Sequence, residues 1–188
     1  LISTDFDGTL HAEFEDPPVP RDLQFLLSDL QRQGAKWVIN TGRDLSSVME
    51  GMARSRLTVH PDFLVTVARE IFHLEGSHYY PLAEWNQGCS RAHDELFARV
   101  RPDVTELEAW VSKRFRATLY EDPFSPFCLI AENNSDADAI QEFLEAYCAR
   151  VPNLTVVRND IYARFSHASY NKGTALDEIG RRLGVQRE

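Results

Sequence analysis

The sequence predicts an α/β protein in which a parallel-sheet core carries an inserted α+β block. Three observations predict this fold. The first third of the chain alternates short apolar runs with helical stripes, which is typical of β-α-β units. From about residue 75 the pattern changes to helices and short strands in groups. One further helix near the end is of the kind that would return to the core.

The core elements follow from local signals along the chain. Leu1 to Thr4 is the apolar tail of a first strand, and Lys36 to Ile39 is typical of a buried parallel strand. Between them, leucines at i, i+3, i+4 and i+7 predict a helix from about Arg21. Asp44 can cap a second helix, and residues 63–67 are typical of a third strand.

The block after residue 75 combines helices with paired strands. Its predicted elements are two helices near 87–100 and 103–115, strands at 117–121 and 127–131, a helix from about Ser135, and a hairpin around Asn159-Asp160. Asn171-Lys172-Gly173-Thr174 then opens the last helix.

Composition and charge exclude several classes of protein. The chain has 188 residues, 43% of them hydrophobic, which is ordinary for a globular protein. Its formal charge of −9 repels the phosphate backbone, so no nucleic-acid partner is expected. No run approaches the length of a membrane span and no leader is visible, so we expect no membrane partner and a cytoplasmic protein. The cysteines, Cys89, Cys128 and Cys148, form no C-x-x-C pair and are expected to be reduced structural thiols.

Two carboxylates follow the first strand. Asp5 and Asp7 are succeeded by Gly8 and Thr9. Side chains two residues apart share a face only while the strand stays regular. Beyond the strand, glycine permits a tight turn that can bring both carboxylates to one cavity. In an open α/β sheet, that cavity is the crevice beyond the carboxyl ends of the strands. The alternative is an ordinary aspartate-rich turn.

Thr41-Gly42-Arg43 follows the second strand and lies beside Asp5 if the two strands pair directly. A hydroxyl and backbone N–H groups at such a strand end suit an anion, although the tripeptide alone is equally typical of a plain turn.

Lys172 lies in the first turn of the predicted last helix. A cation there opposes the helix macrodipole, at a cost of about 0.3–1 kcal/mol. A phosphate or the carboxylates of Asp5 and Asp7 would explain its position. The alternative is a solvated lysine at a frayed helix end.

Together these groups resemble the haloacid dehalogenase (HAD) superfamily of phosphohydrolases, in order as well as in residue type. Asp5-Phe6-Asp7-Gly8-Thr9 is similar to the first motif of that family and Asn40-Thr41-Gly42-Arg43 to the second. Asn171-Lys172-Gly173-Thr174-Ala175-Leu176 is similar to the third, and residues 67–72 resemble the strand that precedes its cap.

The resemblance implies a Rossmann-like, HAD-like core and an inserted α/β cap. The core would comprise residues 1–74 and 167–188, and the cap residues 75–166, as in the branch with Cof-like and sucrose-phosphatase-like enzymes. The fourth motif of the family is an acidic loop that completes a magnesium site, and it has no counterpart before Glu188. We therefore expect the core to continue beyond this residue.

The resemblance also implies a mechanism and a cofactor. Asp5 would attack phosphorus, Asp7 would act as acid and base, and Thr41 and Lys172 would stabilise the phosphoryl group. The other motif residues would bind the substrate: Gly8, Thr9, Gly42 and Arg43. Mg²⁺ is the implied cofactor, with Asp5 and Asp7 as its ligands.

The expected function is a Mg-dependent phosphatase that acts on a small phosphorylated molecule such as a sugar phosphate. One alternative is a non-catalytic module that binds a phosphate ligand or has a regulatory role. Another is a phosphotransferase or mutase on the same fold. The four intact motif residues favour an enzyme, whereas the missing acidic loop favours a binding module.

Overall fold

A computed structural model describes residues 1–185 and divides the chain into two compact units. The first comprises residues 1–89 and the segment from residue 171, and the second comprises residues 90–170. The strands are β1 (Ile2–Thr4), β2 (Trp37–Asn40), β3 (Phe63–Thr66), β4 (Glu70–Glu75), β5 (His78–Pro81), β6 (Ala117–Asp122), β7 (Ser125–Ala131), β8 (Leu154–Asn159) and β9 (Tyr162–His167). The helices are α1 (Arg21–Arg32), α2 (Leu45–Arg54), α3 (Ala83–Ser112), α4 (Asn134–Cys148) and α5 (Lys172–Leu183).

The first unit is built on a five-stranded sheet with the order β1-β2-β3-β4-β5. Strands β1, β2 and β3 are parallel, as predicted, with Thr4 opposite Ile39. Strands β4 and β5 then add antiparallel to the edge. Strand β4 overlaps residues 67–72, which were expected to form a strand, whereas β5 and the antiparallel direction were not predicted. The reversal occurs at Val67 and Ala68, whose φ angles of 46° and 62° turn the chain back directly after β3.

Helices cover both faces of this sheet. Buried side chains of α1 and α2 pack against β2 and β3 on one face, in a cluster that includes Leu27, Val48 and Trp37. Ala175 and Ile179 of α5 pack against Val38 on the other face. The first unit is therefore a three-layer α/β/α arrangement, as the fold class predicts. One residue of the predicted α1 stripe, Leu26, lies 53% exposed.

The second unit is an antiparallel sheet with the order β6-β7-β9-β8, and α3 and α4 contribute to the core on one of its faces. The prediction of two helices between residues 87 and 115 is wrong, because α3 runs unbroken through Pro102. Proline removes one backbone hydrogen bond. Apolar residues on both sides of it, among them Leu96 and Leu107, are buried in the same core and keep the helix continuous.

The predicted division at residues 75 and 166 differs from that of the structure. Strands β4 and β5 pair with the sheet of the first unit, so this unit extends to residue 89. The second unit ends at Tyr170, next to Asn171, the N-cap of α5. That the inserted block, predicted as residues 75–166, acts as a cap stays a prediction.

The three cysteines are buried, and burial raises the pKa of the Cys128 thiol to about 11 and those of Cys89 and Cys148 to about 12. These thiols are therefore protonated near neutral pH and are poor nucleophiles.

None of the helices within residues 1–185 has the length and apolar run needed to cross a bilayer.

Candidate active site

The candidate site lies at the carboxyl ends of β1 and β2. These strands are parallel neighbours in register, so the residues that follow them meet at one edge of the sheet. Asp5 follows β1 directly, and Thr41 follows β2. Because the helix after β2 begins with Asp44 as its N-cap, residues 41–43 form a short turn at this edge. The structure thus brings the first two sequence motifs together.

Asp5 makes its polar contacts through a single carboxylate oxygen. Its Oδ1 accepts a hydrogen bond of 2.8 Å from the backbone N–H of Phe6 and one of 3.1 Å from Nζ of Lys172. Within residues 1–185 the other oxygen, Oδ2, has no hydrogen-bond partner. The side chains of Asp5 and Lys172 are 47% and 42% exposed. One oxygen is therefore held in place while the other remains accessible.

Lys172 is placed by the start of α5. Asn171 is the N-cap, and its side chain accepts hydrogen bonds from the backbone of Gly173 and Thr174. The Thr174 hydroxyl accepts from the Asn171 N–H in return, which completes a capping box. This local geometry fixes Lys172 at the first helical position, as the sequence predicts.

Asn40, the last residue of β2, links this strand to the start of α5. Its Nδ2 donates a 3.1 Å hydrogen bond to the carbonyl oxygen of Lys172, and the side chain is almost completely buried. Sequence reasoning did not assign Asn40 a role. Its position at a strand end within the second motif was the only available signal.

Asp7 is bound by Arg43 rather than left free beside Asp5. Nε of Arg43 lies 3.1 and 3.0 Å from the two oxygens of Asp7, and Nη2 lies 2.6 Å from Oδ1. Gly8, with a φ of +68°, makes the turn that leads away from Asp7. The hydrogen bond and charge of Asp7 raise the pKa of Arg43 above its ordinary value, despite partial burial.

Phe6, between the two aspartates, anchors this loop in the core. Its ring is fully buried, stacks on His11 at a centroid distance of 5.1 Å, and lies 5.1 Å from the Arg43 guanidinium. His11 Nδ1 is 2.7 Å from Oγ of Ser55. A Cβ on Gly51 of α2 would lie only 2.7 Å from the Phe6 ring. No signal in the sequence indicated that these residues support the site.

The remaining predicted residues occupy the same edge with different environments. Thr41 is buried, and its Oγ1 accepts a 3.2 Å hydrogen bond from the Arg43 backbone, which leaves its hydroxyl hydrogen free to be donated elsewhere. The Gly8 N–H already donates to the His11 carbonyl at 3.1 Å. Thr9 and Gly42 are exposed.

The described residues contain no group of three or more His, Cys, Asp or Glu side chains that could hold a metal. Asp5 and Asp7 offer oxygen donors, which are the ligands that Mg²⁺ prefers, and Mg²⁺ is commonly bound by one or two carboxylates together with water and a substrate phosphate. The donor chemistry therefore fits Mg²⁺.

Solved structures of phosphatases and of haloacid dehalogenase-like hydrolases share this fold. The Synechocystis sucrose-phosphatase, solved in complex with sucrose and phosphate, has a TM-score of 0.66 and 20% identity over 98% of this chain and 70% of its own. The C-terminal domain of a C. albicans trehalose-6-phosphate phosphatase has a TM-score of 0.59 and 18% identity, over 97% of this chain and 60% of its own. A haloacid dehalogenase-like hydrolase from B. subtilis has a TM-score of 0.54 and 17% identity, over 98% of this chain and 79% of its own. These comparisons confirm the fold class.

The fold, together with a match to a family model, defines the class of the protein as a HAD-type phosphoric monoester hydrolase. The family model for sucrose-6F-phosphate phosphohydrolase matches residues 1–111, more than half of the sequence, and the chain belongs to this family. No curated protein matches it at the level of sequence.

Proposed function

We propose that this protein hydrolyses a sugar phosphate or a similar small phosphomonoester through an aspartyl-phosphate formed on Asp5. The observation that carries the proposal is the pairing of Asp5 with Lys172 at the carboxyl ends of the parallel strands. A nucleophilic carboxylate beside a fixed cation is the arrangement that attack on a phosphoryl group requires.

Asp5 is the proposed nucleophile because one of its oxygens is accessible and the other is anchored. In the first step an Asp5 oxygen forms a bond to phosphorus, and the bond from phosphorus to the substrate oxygen breaks. The 2.8 Å contact with the Phe6 N–H and the 3.1 Å contact with Lys172 hold Oδ1, so the carboxylate needs little reorganisation to attack.

Asp7 is the proposed proton carrier. It would donate a proton to the departing alcohol oxygen and later take one from the water that attacks the aspartyl-phosphate. Its side chain is 51% exposed, so both the alcohol and the water can reach it.

Lys172 and Thr41 are proposed to stabilise the phosphoryl oxygens. The Lys172 ammonium provides a positive charge, and the free hydroxyl hydrogen of Thr41 provides a donor. Gly42 and Thr9 are exposed at the same edge and are proposed to contact the substrate. Gly8 is proposed to act through its turn, since its N–H is already bonded to His11.

Mg²⁺ is the proposed cofactor, held by the side chain of Asp5 and the backbone carbonyl of Asp7. When bound, it would supply positive charge that offsets the charge of the phosphoryl group and of the two carboxylates.

The substrate class rests on the family. The matching family is described as a sucrose-6F-phosphate phosphohydrolase, and two of the similar structures are named for the phosphates of disaccharides. We propose that the second unit, residues 90–170, acts as the cap that selects the sugar.

The test is a hydrolysis assay with the full-length protein on p-nitrophenyl phosphate and on a panel of sugar phosphates, with Mg²⁺ or excess chelator. We expect release of phosphate that chelation abolishes, and ³²P from a labelled substrate should be trapped on the protein by acid. Asp5→Asn should remove both signals while the circular dichroism spectrum is retained. If the Asp5→Asn variant still hydrolysed the substrate, Asp5 would not be the nucleophile.

A further inference from the structure

We propose that Arg43 is a positioning residue for Asp7, which acts in the second half of the reaction, rather than a ligand of the substrate. This inference rests on the proposed function, because it assigns a role within the same site. It replaces the sequence-based expectation that Arg43 contacts the substrate.

The first observation is the form of the contact between Arg43 and Asp7. Three hydrogen bonds, of 3.1, 3.0 and 2.6 Å, join the guanidinium to both oxygens of the carboxylate. Such a fork fixes the plane of a carboxylate, whereas a single bond leaves it free to rotate. Arg43 therefore determines where the Asp7 oxygens lie.

The second observation is that Arg43 is anchored independently of Asp7. Its guanidinium lies 5.1 Å from the centroid of the buried Phe6 ring, and its Nη1 is 3.5 Å from the carbonyl oxygen of Ser47 on α2. Its backbone N–H donates to Thr41. The guanidinium is thus a fixed point to which the exposed Asp7 carboxylate is attached.

The third observation concerns the chemistry that this arrangement favours. A carboxylate held by N–H donors keeps its remaining lone pairs as acceptors, and an oriented acceptor is what a general base needs. In the second half of the reaction, water attacks phosphorus and one proton of the water passes to Asp7. The bond from phosphorus to the Asp5 oxygen breaks, and inorganic phosphate and the free Asp5 carboxylate result.

The donors of Arg43 are also largely occupied in this arrangement. Nε and Nη2 are directed at Asp7, and Nη1 at Ser47. A phosphoryl group would have to displace these contacts to bind Arg43. Lys172 carries a positive charge 3.1 Å from Asp5, so the phosphoryl group does not require Arg43 as its cation.

The experiment compares formation and breakdown of the aspartyl-phosphate with p-nitrophenyl phosphate as substrate. Its leaving group is acidic enough to depart without a proton, so formation does not depend on Asp7. In full-length Arg43→Ala, we expect breakdown to slow about 10- to 100-fold, with a burst of p-nitrophenol and more ³²P trapped on the protein. KM should not rise. Arg43→Lys keeps the charge without the fork, so its rate of breakdown should lie between those of the parent protein and of Arg43→Ala.

Two further variants sharpen the result. In an Asp7→Asn background, Arg43→Ala should slow breakdown no further, because a residue that acts only through Asp7 has no effect without it. Arg21→Ala, an exposed arginine at the start of α1, should match the parent protein.

Other outcomes overturn the inference. A raised KM with an unchanged ratio of formation to breakdown would assign Arg43 to substrate binding. An equal loss in both steps, with a lowered Tm, would assign it a structural role. If the parent protein itself forms no aspartyl-phosphate, the proposed function fails, and this is seen before any Arg43 variant is measured.

Discussion

Nζ of Lys172 lies 3.1 Å from Oδ1 of Asp5, although 167 residues separate them in the sequence. Both side chains are more than 40% exposed, and ion pairs of this kind stabilise a fold by only about 0–1 kcal/mol. A cation at a helix N-terminus costs about 0.3–1 kcal/mol. The two contributions nearly cancel, so the fold gains little from Lys172. Its position agrees with the proposal that a phosphoryl group binds beside Asp5.

Lys172→Ala is therefore expected to separate activity from stability. Turnover of the full-length protein should fall by about two to three powers of ten, the scale expected for one preorganised electrostatic contact. The Tm should change by no more than a few degrees, because the lost ion pair and the relieved dipole interaction offset each other. Turnover and thermal unfolding measured on the same preparation test this.

The matched control is Lys113→Ala, which removes an exposed lysine of the second unit and should change neither quantity. An unchanged rate in Lys172→Ala would exclude Lys172 from the active site.

Asn40→Asp tests the link between β2 and α5. The Nδ2 donor, 3.1 Å from the Lys172 carbonyl, would be replaced by a carboxylate oxygen in an almost completely buried position. Loss of this donor should cost about 1–3 kcal/mol of unfolding free energy. Activity should fall as well, since the first turn of α5 carries Lys172.

Denaturant unfolding and steady-state kinetics measure both effects of Asn40→Asp. In the double variant that carries both Asn40→Asp and Lys172→Ala, the loss of activity should be less than additive, because both changes act through the same ammonium group. Fully additive losses would show that Asn40 supports the fold without positioning Lys172.

The sequence predicted the parts of the site that follow from strand order. Asp5 and Thr41 come after neighbouring parallel strands, and their meeting at one sheet edge requires only that the strands pair in sequence order. Lys172 could be placed because Asn171 and Thr174 specify a helix start locally. These predictions depended on short-range signals and one general rule of topology.

The supporting contacts could not be predicted because they depend on tertiary packing. Nothing near Arg43 in the sequence indicates that its guanidinium turns to Asp7, 36 residues away. The stack of His11 on Phe6 depends likewise on how the loop closes. The unbroken α3 was missed because Pro102 suggests a helix end locally, whereas burial on both sides of it favours one helix.

Gly51→Ala tests how closely α2 packs on the loop of the two aspartates. The new Cβ would lie 2.7 Å from one Phe6 ring atom and 3.3 Å from Nη1 of Arg43. The Phe6 ring is fully buried, so relief of this contact requires displacement of the ring within the core or of the α2 backbone. We expect a loss of about 1–3 kcal/mol in unfolding free energy and a reduced turnover, although alanine favours helix more than glycine does.

Urea unfolding and turnover of Gly51→Ala should be compared with Ser46→Ala, an exposed change on the same helix. This control should be as stable as the parent protein or slightly more so. A Gly51→Ala variant as active and as stable as the control would show that the Phe6 loop is more adaptable than the structure indicates.

His167, at the end of β9, is a buried histidine whose environment favours the neutral ring. Its Nδ1 accepts a 3.1 Å hydrogen bond from the backbone N–H of Ser169, and the backbone N–H of His167 donates to Nε2 of His93 at 3.2 Å. Burial lowers the pKa of His167 below 6.5, and the positive charge of Arg99 lowers it further. At a pH between the lowered pKa of the folded state and the ordinary pKa of the unfolded state, the unfolded chain binds more protons than the folded one. Folding stability therefore falls as the pH drops below about 6.5.

His167→Asn should make stability less dependent on pH between 7 and 5. The asparagine Oδ1 can replace Nδ1 as the acceptor for Ser169, but it does not titrate, so the part of the acid destabilisation due to His167 should disappear. Denaturant unfolding at several pH values measures this, with His60→Asn, an exposed histidine, as the control that keeps the parent slope. If the stability of His167→Asn depended on pH as steeply as that of the parent protein, groups other than His167 would set the response of the fold to acid.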